Sequence, residues 1–544
     1  MNNGTTLRLA ACSCLAVALA GCGGGSSRTS PAPVLTVAAV SPEPLAAGVP
    51  VLAPVEVQFV TALDPLSVPG SLTVDDGYGA VDGTLTYDPA ALRLRFAPAR
   101  EYGHDAAVVA TLAPSLRAAD GRPLEGGYEW MFVTQARAWS ALPDLGPSPR
   151  STRPKVAVGE HGESAVGWED RVSVWDPEAQ VWLYEALGGT TFTSVDVLGV
   201  AFAGDGEAFA AWLGQRKTAS GFERMLMLSA RPQLAAWDRA EIANLYTSFA
   251  IDSPSFQLSA GALGHVQLVA HVYTGVPSGN RGTGYWSAPA QIAHRTWIAQ
   301  DFTGPSHDAV KAQVRLAADG SVTSLHQPYG SEPPTLRYSE LQSGTTILAA
   351  VENGTLATAA DGTSRIVGIA GSGQSASVTA WRRAASLGPA QSVDLPVAQM
   401  RRSFLAGCGN GDLILVVEER LDESTSKLVG VGYDAGKKAW TQPQVLFPAL
   451  PRSDLIDLSL SAGPRGDGWL TFRRALATGD LLSGMRYRPR RGFGAEQTLV
   501  RSDPALGMRS YDLAVDGSGR TTVAWTDFVM PPLGIPILRA ARYE

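Results

Sequence analysis

The chain of 544 residues carries 58 Gly and 36 Pro beside 45% apolar and 17% charged residues. That balance can bury a core and suits many short strands joined by turns, and it disfavours both disorder and helical bundles. A formal net charge of −7, with 44 Lys and Arg against 51 Asp and Glu, argues against a general nucleic-acid binder.

At the N-terminus Arg8 stands before an apolar run, Leu9 to Ala20. The run is shorter than the roughly 20 residues that a membrane-crossing helix needs, so it reads as the core of a signal peptide. It ends in Leu19-Ala20-Gly21-Cys22, with small residues ahead of a thiol, and Gly23-Gly24-Gly25-Ser26-Ser27 follows. This stretch resembles the lipobox of bacterial lipoproteins. The resemblance implies a signal peptide over residues 1–21, diacylglycerol on Cys22, and attachment to the membrane through that lipid. Gly23 is not an acidic retention signal, so the outer membrane is the implied destination, on its periplasmic or its cell-surface side. Residues 22–33 are then a lipidated cysteine and a flexible tether, which extends to about 35 Å at most. Cys12 and Cys14 leave with the signal, so Cys408 has no partner for a disulfide. Its run, Phe404-Leu405-Ala406-Gly407-Cys408, makes it a buried small hydrophobe.

Residues 34–135 alternate apolar and polar side chains, as in Val55-Glu56-Val57-Gln58-Phe59-Val60 and Leu92-Arg93-Leu94-Arg95-Phe96. Period-two text broken by turn residues predicts a β-sandwich of about 100 residues. Ser41-Pro42, Leu94-Arg95-Phe96-Ala97-Pro98, Ala119-Asp120-Gly121-Arg122-Pro123-Leu124 and Trp130-Met131-Phe132-Val133-Thr134 resemble the bacterial Ig-like domains of the S-layer (SbsA) type. That resemblance implies a spacer or adhesive module without chemistry. His104-Asp105 is the one pair here of metal-ligand type, and without further ligands it reads as surface decoration.

From residue 136 to 544 the text repeats. A strand, a turn with Gly and a second strand recur roughly every 50 residues, centred on Gly162, Gly206, Gly264, Gly320, Gly362, Gly411, Gly466 and Gly519. Each unit continues into a third strand and a fourth that carries an aromatic, as Trp175 leads to Trp182 and Tyr433 to Trp440; Trp286, Tyr338 and Tyr487 recur in other copies. The expected role of that aromatic is packing between neighbouring blades. The fold class is therefore all-β: an Ig-like sandwich, then an eight-bladed β-propeller, with seven blades as the alternative. The pattern is similar to kelch and sialidase-like propellers, though it meets neither consensus fully. The final strand, Leu538 to Tyr543, lacks a fourth neighbour. An orphan strand, Ala138-Trp139-Ser140-Ala141-Leu142-Pro143, is available to supply it as a Velcro closure.

Motifs for chemistry are scarce. His-Glu-x-x-His, Cys-x-x-Cys, a phosphate-binding loop and a Gly-x-Ser-x-Gly elbow are all absent, so no catalytic residue, metal or cofactor is assigned. His265 and His271 share a strand face but lack a visible third ligand. Arg171, Arg216, Arg281, Arg420 and Arg473 follow second strands, where a sialidase would place an arginine triad. The Ser-x-Asp-x-Gly-x-x-Trp box of that family is missing. Asp170 and Asp527 follow strand-end tryptophans and read as acceptors of backbone hydrogen bonds.

The expected function is a non-catalytic recognition or adhesion module for a glycan or protein, acting as a monomer. A sialidase-like glycan-processing enzyme and a scaffold for envelope protein assembly are the alternatives. The candidate ligand-binding residues are Tyr273, Asn280 and Arg281 in one loop and His326 and Tyr329 in its neighbour, because aromatic, amide and guanidinium groups together grip sugar or peptide.

Overall fold

The computed structural model describes residues 34–148, 152–203, 206–219, 221–231, 237–245, 249–251, 257–260, 266–274, 281–288, 298–301, 309–316, 322–328, 336–340, 346–349, 355–358, 364–370, 375–381, 391–476, 479–502, 506–529 and 536–544. Among these residues the regular elements are β-strands, apart from the 3-10 turns Pro65–Ser67 and Arg452–Asp454.

The alternating N-terminal text folds as seven strands: β1 (Val37–Ser41), β2 (Val55–Phe59), β3 (Leu72–Asp75), β4 (Gly83–Asp88), β5 (Arg93–Pro98), β6 (Ala107–Leu112) and β7 (Tyr128–Val133). They form two antiparallel sheets, in the orders β1-β2-β5-β4 and β3-β6-β7. Every second side chain points inward: Val55, Val57 and Phe59 meet Val108, Ala110 and Leu112, and Trp130 and Phe132 complete one core.

Register gives this sandwich two poles. Val37 pairs with Phe59, and the Leu35 N–H donates to the Pro123 carbonyl at 3.0 Å, so the chain enters beside loops 60–71 and 113–127. Leu72 pairs with Leu112 and Asp75 with Val109, which sends loops 76–82 and 99–106 to the opposite pole.

A short strand follows, β8 (Trp139–Ala141). From Lys155 onward the chain forms successive antiparallel meanders over 155–186, 194–245, 249–301, 309–349, 355–394, 400–451 and 456–501. Each has four main strands, here called a to d in chain order; meanders of this kind are the blades of a β-propeller. Strand b is buried end to end in Ser164–Trp168 and over its first part in Ala208–Thr218 and Gly468–Leu476, because neighbours cover both of its faces there. The last meander, 506–543, supplies strands a to c, and β8 lies beside its strand c with Tyr543 opposite Trp139. The sheet at 155–186 packs on this last sheet. Val166 and Trp168 join Ala524, Leu538 and Ala540 in one cluster, and the Ser164 and Thr522 hydroxyls meet at 2.7 Å.

The recurrent glycines close the a–b hairpins. Gly162, Gly206, Gly411, Gly466 and Gly519 all take φ between 80° and 99°, a region costly for any residue with a Cβ. In each turn the glycine N–H donates three residues back, as Gly466 does to Gly463 and Gly519 to Asp516. Gly264, Gly320 and Gly362 lie outside the described residues.

The repeated aromatics face each other across strands c and d of one sheet, and do not simply wedge between sheets. Trp175 opposes Trp182, Tyr433 opposes Trp440, and both ring pairs stand 5.4 Å apart, edge to face. The indoles of Trp182 and Trp440 then reach outward, to the carbonyls of Pro143 and Gln391. Tyr543 and Trp139 repeat this pairing at 5.3 Å.

Candidate functional site

An antiparallel meander puts its a–b and c–d turns at one end and its b–c turn at the other. Neighbouring a–b turns touch: the Asn410 N–H donates to Pro464 at 2.8 Å, and Gly162 lies against the guanidiniums of Arg520 and Arg542. The a–b turns therefore share one face, and the b–c turns share the other.

The Ig-like domain docks on the a–b face through the pole away from its N-terminal entry. Arg488 and Arg490, at the c–d turn of the sheet 456–501, pair with Asp105 and Asp75. Arg520, at the a–b turn of the last sheet, bonds both carboxylate oxygens of Glu101 at 3.3 Å. Arg137, in the segment joining the two modules, donates to the Ser518 carbonyl and hydroxyl at 3.0 and 3.2 Å.

At the centre Arg486, 3% exposed, pairs with Asp467 at 3.2 Å, donates to the Tyr78 hydroxyl at 3.4 Å and lies over the Tyr543 ring. Burial opposes the charge of Arg486, but the oxygens of Tyr78, Asp467 and Tyr543 outweigh it and raise its pKa. Burial and the Asp467 carboxylate push the Tyr78 phenol up to about 12. Burial pushes Arg137 down to about 10, despite the Asp516 carboxylate.

His104 sits in this junction and is 8% exposed. Burial, then the guanidiniums of Arg137, Arg486 and Arg520, push its pKa down to about 4. The surface reading of His104-Asp105 is thus corrected: one residue is buried between the domains, and the other holds Arg488. Sequence reasoning also passed over Arg486, Arg520 and Arg137. The recurrence of Arg-Tyr at the ends of third strands, Arg486-Tyr487 and Arg542-Tyr543, was the available signal.

Toward the b–c face the expected loop arginines Arg216, Arg420 and Arg473 lie within second strands, and Arg216 and Arg473 meet acids of their own sheets. Arg216 bonds Glu223 at 2.8 and 3.0 Å, and Arg473 pairs with Asp457 and Asp480 at 3.2 and 3.1 Å. Buried Glu418 takes Arg401 and Arg402, each at 2.6 Å, and the Ser426 hydroxyl at 2.8 Å. Burial works against ionisation of Glu418, but those donors hold its pKa below the usual range.

Asp527 is fully buried and accepts the Trp525 indole N–H at 3.0 Å, with Arg539 at 3.3 Å. Asp170 is exposed beside Arg171 at 3.3 Å, while its neighbour Glu169 is buried and accepts the Ser148 hydroxyl. Cys408 is 2% exposed, and burial raises its thiol pKa well above the ordinary value.

Tyr273 and Arg281 oppose each other as the last pair of strands Val266–Thr274 and Arg281–Ala288. They are thus strand ends flanking the b–c turn, where a loop of eleven residues was expected. His326 lies in strand Val322–Pro328, opposite Ala312 and Arg337. Asn280, Tyr329 and Cys22 lie outside the described residues, as does His265. Among the described residues no three His, Cys, Asp or Glu side chains gather as a metal set. No described helix is long and apolar enough to cross a membrane.

Residues 31–134 match the family model of the bacterial Ig-like domain. No curated protein sequence matches the chain. Among solved structures the chain is similar to the β-propeller domain of the Trilobed protease from Pyrococcus furiosus, at 10% identity and TM-score 0.36, covering 65% of this chain and 95% of that one. It is also similar to a prolyl endopeptidase structure, at 12% identity and TM-score 0.38, covering 72% and 54%. A eukaryotic initiation factor gives 13% identity and TM-score 0.35, covering 67% and 91%.

Proposed function

We propose that this protein is an outer-membrane lipoprotein, anchored through Cys22, whose propeller presents a non-catalytic recognition face to a glycan or protein ligand. In this reading the Ig-like domain is of the S-layer type. The propeller is a ring of eight blades closed by β8, which the packing of the sheet 155–186 on the sheet 506–543 supports. The observation that carries the function is the in-line order of the parts. The chain enters the Ig-like domain at one pole, and the other pole holds the a–b face through Asp75, Glu101 and Asp105. The b–c face then points away from the anchor. Its turns are free to vary, while the blades hold them rigid.

The enzyme alternative needs arginines converging on one carboxylate, whereas Arg216 and Arg473 each have acids of their own. Two measurements test the reading. Cys22→Ser should move the protein from the detergent phase to the aqueous phase, and unchanged partitioning would overturn the anchor. A screen of the full chain against glycans and envelope polymers should then find a ligand whose binding Tyr273→Ala with Arg281→Ala weakens without lowering the melting temperature. Turnover of a glycoside by the wild type would replace the binding reading with the enzyme.

A further inference from the structure

The joint between the Ig-like domain and the propeller is made of charged pairs, and a neutral titratable group stands among them. Arg488, Arg490 and Arg520 reach from propeller turns to Asp105, Asp75 and Glu101. Loop 99–106 supplies two of those acids, with His104 between them. The propeller therefore grips this loop on both sides of the histidine. Arg520 holds Glu101, while Arg488 holds the Asp105 carboxylate and, at 3.0 Å, its backbone carbonyl.

His104 is 8% exposed, yet it stands apart from the apolar core of its own domain. Its Nδ1 is buried and meets no hydrogen-bond partner. The Gln135 carbonyl favours a proton on the ring, but burial and three guanidiniums outweigh it. Those guanidiniums come from outside the sandwich: Arg137 from the connecting segment, Arg486 from strand c of the sheet 456–501, and Arg520 from the last a–b turn.

The acids of the joint already face cations of their own. Asp467 faces Arg486, Asp516 faces Arg520, and Asp76 faces Arg100. Burial keeps the phenols of Tyr78 and Tyr102 protonated, so neither supplies a negative charge. A proton on His104 would thus add a positive charge beside three others, in a place shielded from water. Separating the modules would return the imidazole to solvent and remove Arg486 and Arg520 from it. The chain has a hinge for this motion. The Gln135 N–H is bonded within the sandwich to Val49 and the Ala138 N–H within the propeller to Glu544, which leaves Ala136 and Arg137 to absorb the rotation.

We propose that this joint is an acid-released hinge: protonation of His104 undocks the Ig-like domain, which swings about Ala136 and Arg137 while both modules stay folded. The device depends on neither the lipid anchor nor a ligand. Its sign follows from linkage. The imidazole titrates near 4 when docked and near 6.5 in water, so the docked state binds fewer protons and acid favours release. Docking should weaken about 30-fold between about pH 7.5 and pH 5. Ordinary carboxylates remain mostly ionised at about pH 5, so the acids of the joint contribute little to that change.

Single-molecule energy transfer on the full chain tests this, with Cys12→Ser, Cys14→Ser and Cys22→Ser and with probes on Glu125→Cys and Lys437→Cys. Both probe sites are exposed and lie outside the joint, and Cys408 is 2% exposed and stays unlabelled. The ratio of open to closed molecules should rise about 30-fold from about pH 7.5 to pH 5, with far-UV circular dichroism unchanged. His104→Gln keeps a polar side chain that cannot take up the proton, and it should hold the rise below about threefold. If open molecules are too rare to count, Arg488→Ala removes the Asp105 pair, brings opening into range, and allows the same comparison. A rise below about threefold with His104 present, or a joint still closed at about pH 5 in the Arg488→Ala chain, would overturn the hinge. An equal rise in the His104→Gln chain would also overturn it and assign the pH effect to Asp75, Glu101 and Asp105.

Discussion

Replacing Trp139 by alanine removes the largest side chain of a strand that has only three ladder pairs to hold it. The ring stands 5.3 Å from Tyr543 and 5.7 Å from Trp469, and those two rings stand 5.4 Å from each other, so three aromatics support one another. A fully buried Trp→Ala change costs roughly 3–5 kcal/mol, and Trp139 is only half-buried. A loss of about 2–3 kcal/mol is therefore expected, including roughly 0.5–1.5 for each aromatic pair.

Because the chain has two modules, the effect should appear as local opening and not as one shifted melting curve. Amide exchange measures it at Ala138, Leu142 and Glu544, whose N–H groups bond Glu544, Ala540 and Ala138 across this edge. Their exchange should accelerate about 30-fold or more, while the β6 amides keep their protection. The Trp139 indole N–H is buried without a partner, so Trp139→Phe loses no hydrogen bond and should stay within about 1 kcal/mol of wild type. Acceleration of less than about threefold in the alanine variant would refute the role given to β8.

The His104 imidazole titrates near pH 4 in the folded chain and near 6.5 when exposed, so the unfolded chain takes up its proton first as pH falls. Its contribution is fully present above about pH 6.5 and is lost progressively toward pH 4, by up to roughly 3 kcal/mol. Urea titrations across that window should show the slope, and His104→Leu should remove most of it. Gly519 holds φ at +80°, and a Cβ there would stand 2.4 Å from an Asp467 oxygen, so Gly519→Ala should cost about 2 kcal/mol or more. Gly517 two residues earlier has open space, and Gly517→Ala should stay within about 0.5 kcal/mol in the same denaturation assay.

The strands were legible because each buried face leaves a period in the text. Val55-Glu56-Val57 has one wet face and alternates, whereas Leu413 to Val417 has none and runs apolar throughout. The glycine-centred turns were legible for a backbone reason, since a positive φ at Gly466 or Gly519 restricts the residue before any packing is considered. What sequence reasoning missed depends on distance along the chain. Nothing local to His104 says that Arg486 and Arg520 will surround it. The opposite error concerns Tyr273 and Arg281. Gly275, Pro277 and Gly279 suggested a long loop, yet the strands run on to both residues, because antiparallel pairing continues until turn geometry ends it.

The arginine content has a structural explanation that bears on function. The chain uses 38 Arg and 6 Lys, and a recognition or catalytic reading would expect the excess to gather around a ligand. Instead the described guanidiniums divide between joints of the two modules and pairs across adjacent strands of one sheet. Arg488, Arg490 and Arg520 tie the Ig-like domain to two propeller turns, and Arg473 reaches Asp457 on strand a and Asp480 on strand c of its own sheet. Arg401 and Arg402 converge on Glu418 from a neighbouring strand. Turns at blade ends expose carbonyls and carboxylates at fixed angles, and a planar fork with five donors meets several at once, where an ammonium offers a single point of charge. Lysine in place of Arg486 would retain one contact among Asp467, Tyr78 and Tyr543, so at this joint the fork is what the geometry uses.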